Sequence, residues 1–260
     1  MNSPRRIVSL VPSSTESVCA LGAGDRLVGC TRYCTEPAVM PVDVVRVGGT
    51  KNPSLEAIAR LEPDLVLANA EENRLEDIDW LQRRTDVLVQ TPRTVPEAAD
   101  ALRSLASRLG GTNTVAPLLL RIEAQLTAAE VESLDRPPLR VFYAIWKKPW
   151  MSIGSDTFVH DVLRRCGAEN VCADAAARYP EVSLAEVCEA GVDAVLLPSE
   201  PWEFGARDRE ELAASGTFGD AAIALCDGRD FCWHGVRMAN GLGRVTDLVG
   251  MLQRARRGRG

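Results

Sequence analysis

Residues 113–135 read NTVAPLLLRIEAQLTAAEVESLD, and the stretches on either side of them look like one plan written twice. Val115, Leu118, Leu119, Ile122, Leu126 and Val131 recur at roughly helical spacing, with Arg121, Glu123, Gln125 and Glu130 between them. No Gly or Pro interrupts the run after Pro117, and Pro137-Pro138 stops it. The spacing predicts one helix over 113–136, of about 20 residues and roughly 30 Å long. That length suits a strut between two lobes better than a tight hairpin.

The flanks repeat in order. Ser54-Leu55-Glu56-Ala57-Ile58 runs on to Pro63-Asp64-Leu65-Val66-Leu67-Ala68, and Ser183-Leu184-Ala185-Glu186-Val187 runs on to Val192-Asp193-Ala194-Val195-Leu196-Leu197. Both read as a capped helix, a turn ending in Asp, then a buried strand. Arg6-Ile7-Val8-Ser9-Leu10 is echoed by Arg140-Val141-Phe142-Tyr143-Ala144, and Gly22-Ala23 by Gly167-Ala168. Such duplication predicts two similar domains facing one another. The expected boundaries are 1–112 for an N-terminal α/β lobe, 113–136 for the linking helix and 137–260 for a C-terminal α/β lobe.

In the first lobe strands are expected at 6–11, 27–30, 65–68 and 87–89. Helices are expected from Pro12 to Leu21, with Ser13 and Glu16 as a capping box, from Leu55, through Leu81, and over 96–109. The second lobe reads as strand 139–145, helix 157–166, a short strand near Val171, helix 184–190 and strand 194–197. Helices at 208–214 and 217–224, a last strand ending around Cys232 and a helix near 236–253 complete it. Alternating strands and helices predict parallel sheets, whose ligands sit beyond the carboxyl ends of the strands.

That rule selects the loops. In the first half they carry Ser13, Ser14, Tyr33, Cys34, Asn69, Glu71, Glu72, Asn73 and Arg93; in the second, Trp146, Trp150, Met151, Tyr179, Glu200, Trp202, Phe204, Trp233 and His234. Four of the five tryptophans thus fall in loops of one lobe. Tryptophan belongs in cores or on binding surfaces with one wet side, and loops are seldom cores. A broad aromatic wall suits a large, flat, partly apolar ligand.

Composition excludes several classes. A net charge of −6 argues against general nucleic-acid binding. Its one basic cluster, Arg254, Arg256, Arg257 and Arg259, reads as a solvated tail. No apolar run is long enough to span a membrane. The polar opening before Arg6 carries no secretory or lipoprotein signal, so the chain as written reads as cytoplasmic, and as periplasmic if a leader precedes residue 1. Eight cysteines without a CxxC pair read as buried small hydrophobes, with Cys34 and Cys232 in loops as the exceptions.

Catalytic signatures are poor. There is no GxSxG elbow, and Gly48-Gly49-Thr50-Lys51 lacks phosphate-loop spacing. Of two histidines, His160 reads as structural and His234 as a metal ligand without a partner histidine. Acidic runs at Glu71, Glu72, Glu76, Asp77 and Asp79, and at Glu200, Glu203, Asp208, Glu210 and Glu211, suit helix N-termini. They also suit docking onto a basic partner.

The chain resembles the helical-backbone (class III) substrate-binding proteins of ABC importers, and within them the vitamin B12-binding branch. The resemblance rests on Arg6-Ile7-Val8-Ser9-Leu10-Val11-Pro12-Ser13, Leu27-Val28-Gly29, Tyr33 to Pro37, Leu55-Glu56 and Pro63-Asp64-Leu65-Val66. It continues through Gly167-Ala168-Glu169-Asn170 and Pro180-Glu181-Val182-Ser183. It implies two similar α/β lobes joined by one stiff helix, with a ligand cleft between them. It also implies that Tyr33, Trp146 and the neighbours of Trp202 and His234 line the pocket, and that Glu76 and Glu203 dock on a permease. Family members tend to place a large aromatic where this chain has Gly49-Thr50-Lys51.

The expected function is therefore solute binding and not catalysis: a monomer holding a cobalamin-like corrinoid or other metal chelate as ligand, with no cofactor required. The alternatives left by the residues are a cytoplasmic relative binding a small polar ligand or free metal, an enzyme using Glu71 or Glu72 as base, and an interaction module acting through its acidic patches.

Overall fold

Ile7-Val8-Ser9 is buried on every side, and it forms β1 (Ile7–Ser9), the central strand of a five-stranded sheet. The computed structural model describes residues 3–134 and 136–257. Asp135, at the end of the expected linking helix, and Arg259, in the basic tail, lie outside the described residues.

The first sheet has the order β3 (Val45–Arg46), β2 (Leu27–Cys30), β1, β4 (Leu65–Ala68), β5 (Val87–Val89), with every pair parallel. Between its strands run α1 (Pro12–Ala20), α2 (Leu55–Arg60) and α3 (Leu75–Gln82); α4 (Val95–Leu109) and α5 (Thr112–Ser133) follow. The second sheet has the order β7 (Ala168–Asn170), β6 (Leu139–Tyr143), β8 (Ala194–Pro198), β9 (Ala222–Cys226), again all parallel. Its helices are α6 (Phe158–Arg165), α7 (Leu184–Glu189), α8 (Ala206–Ala214), α9 (Gly228–Cys232) and α10 (Met238–Arg257).

The duplication is explicit in both topology and hydrogen bonding. Removing the short edge strand β3 leaves two sheets of the same strand order. In the first, the Arg5 and Arg6 N–H groups donate to the Asp64 carboxylate at 2.8 Å, and Asp64 N–H returns to Arg6 O at 3.0 Å. In the second, Arg140 N–H donates to Asp193 at 2.9 Å, and Asp193 N–H returns to Arg140 O at 2.8 Å. Each Asp thus ties the start of the central strand to the start of its neighbour and sets the parallel register. Ser54 and Ser183 cap α2 and α7 through Ala57 and Ala185 N–H, both at 3.2 Å. Gly22 and Gly167 close the preceding helices at φ of 79° and 84°, a region that a Cβ disfavours.

Two compact units result. The first is residues 1–92, 96–120 and 233–237; the second is 93–95, 121–232 and 238–260. Within the first, Val8, Leu10, Val47, Ile58, Val66 and Leu81 form one buried cluster. Within the second, Phe142, Val195, Leu197, Phe204, Leu212 and Phe218 form another. Each such side chain contributes about 1.5–3 kcal/mol on burial.

The structure corrects several expectations. Residues 222–226 form strand β9 rather than the end of a helix, and 228–232 form a helix rather than a strand. Ala222-Ile223-Ala224-Leu225-Cys226 has no period to choose by; β9 pairs residue for residue with Ala194 to Pro198, and that partner decides. Ser13 does not cap α1. Pro12 takes the first helical position, where its fixed φ and missing N–H cost nothing, so Val11 becomes the N-cap. Ser13 Oγ is left buried without a hydrogen bond, and Glu16 pairs with Arg237 instead. On α5, Val115, Ile122 and Ala129 are buried but Val131 is 61% exposed. At about 100° per residue it stands about 160° around the helix from Val115. Cys34 is fully buried although it lies in a loop, whereas Cys188, expected inside, is exposed.

Candidate functional site

In the first unit the carboxyl edge is organised by Asn69, the residue after β4. Asn69 Oδ1 accepts from Glu71 N–H at 2.8 Å, and Asn69 N–H donates to Asn73 Oδ1 at 2.8 Å. The Asn73 amide donates to Leu10 O at 3.3 Å and to Thr50 O at 3.0 Å. Asn73 is buried, so this expected ligand contact is instead the clasp that shapes the 69–73 loop. Lys51 Nζ donates to Glu71 O in the same loop. The side chains of Glu71 and Glu72 are left half-buried.

Tyr33, after β2, is 50% exposed, with the Arg32 guanidinium 5.0 Å from its ring centroid and donating to its hydroxyl at 3.1 Å. Gly49 packs beside this pair; a Cβ there would meet Asn52 Oδ1 at 2.4 Å. A side chain at Gly49 would therefore require the exposed Asn52 side chain to move aside. Cys34, the next residue after Tyr33, is turned inward, accepting from Thr15 Oγ1 at 3.0 Å and lying 3.2 Å from Thr31 Oγ1.

Trp233 and His234 were expected on the second half and belong to the first unit. Both are buried. Val236 N–H donates to Ser17 Oγ at 3.2 Å, and Arg237 forks onto Glu16 at 2.8 and 3.1 Å while standing 5.0 Å from the Trp233 ring centroid. These bonds lay the 233–237 segment on α1. Asn69 Nδ2 and His234 Nε2 are 3.4 Å apart, and burial pushes the His234 pKa down to about 4. Neutral imidazole is what a metal would need, yet no group of three or more His, Cys, Asp or Glu able to hold an ion occurs among the described residues. No sequence signal pointed to the pairing of Glu16 with Arg237, because their contact spans 221 residues of chain.

In the second unit the aromatic side chains form a continuous row. Trp146 meets Trp202 edge to face at 4.8 Å, and Trp202 lies 6.3 Å from Phe204. Phe204 stacks on Trp150 at 5.8 Å, and Trp150 meets Phe142 at 6.4 Å. The row thus runs from Trp146, 39% exposed, down to a core phenylalanine. Phe204, expected to touch ligand, is itself buried and backs the two tryptophans before it.

Local backbone structure aims this row. Ile145 N–H bonds Met151 O at 2.9 Å and Met151 N–H bonds Trp146 O at 3.2 Å, closing a short hairpin that holds Trp146, Trp150 and the half-buried Met151. Lys147 Nζ pins the hairpin to α8 through Asp208 at 2.6 Å and Glu211 at 2.8 Å. Hydrogen bonds to these two carboxylates raise the Lys147 pKa, and the same bond from Lys147 holds Asp208 below the usual carboxylate range. Glu200 is half-buried beside Cys232 Sγ at 3.9 Å. Arg93 pairs with Asp156 at 3.0 Å, both about half exposed. Glu76 and Glu203 are exposed.

Three surface grooves of the second unit lie elsewhere. One of about 320 Å³ sits between α8 and the start of β9, one of about 300 Å³ between α5 and α10, and one of about 400 Å³ near Asp193 and Arg256. None contains a member of the aromatic row, and Ala222 in the first and third marks the amino end of a strand. Parallel sheets bind ligands at the opposite end.

Two parallel α/β units, with aromatic and polar side chains gathered where their strands end, define a binding protein of the two-unit α/β class. A family model described as periplasmic binding protein matches residues 7–220, and the chain belongs to that family, one of binding proteins and not of enzymes. The vitamin B12-binding protein of Vibrio parahaemolyticus is 28% identical over 183 residues, 70% of this chain. The match spans 66% of that relative's length, just under two thirds. The solved structure of the periplasmic vitamin B12 binding protein of Vibrio cholerae superposes with a TM-score of 0.82 at 22% identity, over 96% of this chain and 98% of that one. The periplasmic heme-binding protein RhuT from Roseiflexus sp. RS-1 does so with a TM-score of 0.82 at 22% identity, over 97% and 100%. At these identities the two structures speak for the fold. None of the described helices is long and apolar enough to cross a membrane.

Proposed function

We propose that this chain is the solute receptor of an ABC importer and that its cargo is a corrinoid or a similar flat metal chelate such as haem. The observation that carries the reading is the row Trp146–Trp202–Phe204–Trp150, whose outer member is partly exposed and whose inner members are locked by the core. A rigid aromatic face loses little side-chain entropy when it stacks on a planar ligand, and polar groups nearby need only orient it. Trp146 and Trp202 are assigned the main stacking contact, and Met151 and Glu200 flanking roles. The names of the curated relatives support a corrinoid. Periplasmic location goes with this role. Glu76 and Glu203, exposed and acidic, are assigned to docking on basic residues of the permease.

The deciding measurement titrates the purified protein with cyanocobalamin and separately with hemin, following tryptophan quenching and the ligand's visible spectrum together. One of the two should saturate with a Kd in the micromolar range or below. Trp146→Ala or Trp202→Ala should weaken it about tenfold, the equivalent of about 1.4 kcal/mol. Tyr33→Ala tests separately whether the ligand also uses the edge of the first unit. Folded protein that responds to neither ligand would remove the metal-chelate reading.

A further inference from the structure

We propose that β9 is a docking edge for a second copy of this chain, the two copies pairing Ala222–Cys226 antiparallel across a two-fold axis. β9 stands last in the order β7-β6-β8-β9, so one of its sides has no neighbouring strand. Its partner β8 is buried throughout, whereas no residue of β9 is, and Leu225 is 36% exposed. Natural edge strands are blunted by charge, proline, a bulge or brevity, because an open edge pairs with whatever strand arrives. The other edges follow that rule. β3 and β7 carry the exposed Arg46 and Glu169, and β5 is only three residues long. Ala222-Ile223-Ala224-Leu225-Cys226 has five residues, no charge and no proline, and it pairs with β8 without a bulge.

The ladder to β8 fixes which groups point outward. Ala222 N–H donates to Asp193 O at 3.0 Å, and Ser199 N–H donates to Cys226 O at 3.0 Å. In a parallel ladder alternate residues turn both backbone groups toward the same neighbour. Ala222, Ala224 and Cys226 therefore serve β8, and Ile223 and Leu225 present N–H and C=O outward. Among the described residues no loop or side chain bonds those four groups. The approach is open at the amino end, where the grooves of about 320 and 400 Å³ both reach Phe218 and Ala222, and the first reaches Ile223.

A second β9 fits this edge in one register. With Ala224 on the axis, Ile223 of each copy stands opposite Leu225 of the other and exchanges both hydrogen bonds, so all four outward groups are satisfied. Ala224 meets Ala224 in the close, non-hydrogen-bonded pair, where small side chains ease approach, and Ile223 with Leu225 makes an apolar cross-strand pair. Charge agrees. Asp220, Asp227 and Arg229 fall opposite Gly228, Ala221 and Gly219 of the second copy, so none directly faces its like. The antiparallel arrangement also carries Asp227 of each copy toward the groove of the other, where Arg209 has no ion-pair partner among the described residues. Such an isologous contact uses both edges and stops at two copies. Five residues a side make a small interface, so the association belongs in the micromolar range.

Sedimentation equilibrium of the full chain from about 1 to 200 μM tests this. The protein should pass from monomer to dimer and no further, with a Kd of roughly 10–100 μM. Leu225→Pro removes one outward N–H and none of the bonds to β8, and should stay monomeric with an unchanged circular dichroism spectrum. Leu225→Lys keeps every backbone group and should weaken the dimer at least about tenfold, which decides the matter if the proline variant does not fold. Amide exchange gives an independent reading. The Ile223 and Leu225 amides should slow several-fold at high protein concentration, while the Ala224 amide, already bonded to β8, should not change. A chain that stays monomeric at about 200 μM, or that grows beyond a dimer, overturns the proposal. So does a dimer that both variants leave intact while the Ile223 and Leu225 amides exchange alike at low and high concentration, since the contact then lies on another face.

Discussion

His234 shows how one residue changes meaning once its surroundings are known. As a sequence letter it is a histidine in a loop, and metal ligation is the natural suggestion. In the structure it is buried beside Asn69, and desolvation of its charged form brings its pKa to about 4, below the ordinary 6.5. The unfolded chain therefore binds a proton between about pH 6.5 and 4 that the folded chain refuses, so stability falls as pH drops through that window. From pH 7 to pH 5 the loss from this group alone should be about 2 kcal/mol. Urea unfolding at the two pH values should show it, and His234→Gln should flatten the difference; an unchanged difference would mean that the imidazole is not desolvated. Asn73 and Phe204 make the same point. Both sit at the selected loop edge, and both are turned inward to hold neighbours that face outward.

At the scale of elements, segments with strong local signals formed where their residues indicated. Leu65 to Ala68 and Val87 to Val89 are strands, and Ser54 and Ser183 cap their helices. The region 217–232 did not follow its local pattern, since an apolar pentapeptide takes the structure its partner imposes. The hairpin of 146–151 is a further case, because nothing in its sequence announces the clamp from Lys147 to Asp208 and Glu211. Both Lys147 and Asp208 are largely covered, so charge-assisted bonds between them contribute more than a surface pair does. Lys147→Met should lower stability by about 1–2 kcal/mol in urea unfolding. It should also weaken binding of the proposed ligand through Trp146, since the hairpin carrying Trp146 loses its tie to α8. Unchanged affinity alongside reduced stability would confine Lys147 to a structural role.

The whole molecule repeats one topology, and a receptor of this kind has a simple global signature. A ligand that binds only the folded state adds about 2.7 kcal/mol at a hundred times its Kd. For a chain of this size that should raise Tm by roughly 5–10 °C. Differential scanning fluorimetry with cyanocobalamin and with hemin should show the rise for the true cargo and none for the other, and no rise for either would argue against both. What the sequence by itself determined is the duplicated α/β plan, with an Asp closing the turn before each of the strands Leu65–Ala68 and Ala194–Pro198, because apolar periodicity, caps and turn residues act locally and are written in adjacent letters. What only the tertiary structure decided is which side chains at the strand ends face outward. It alone brought Glu16 to Arg237 and Trp146 to Trp202, since contacts between residues far apart in the chain depend on packing that no local pattern encodes.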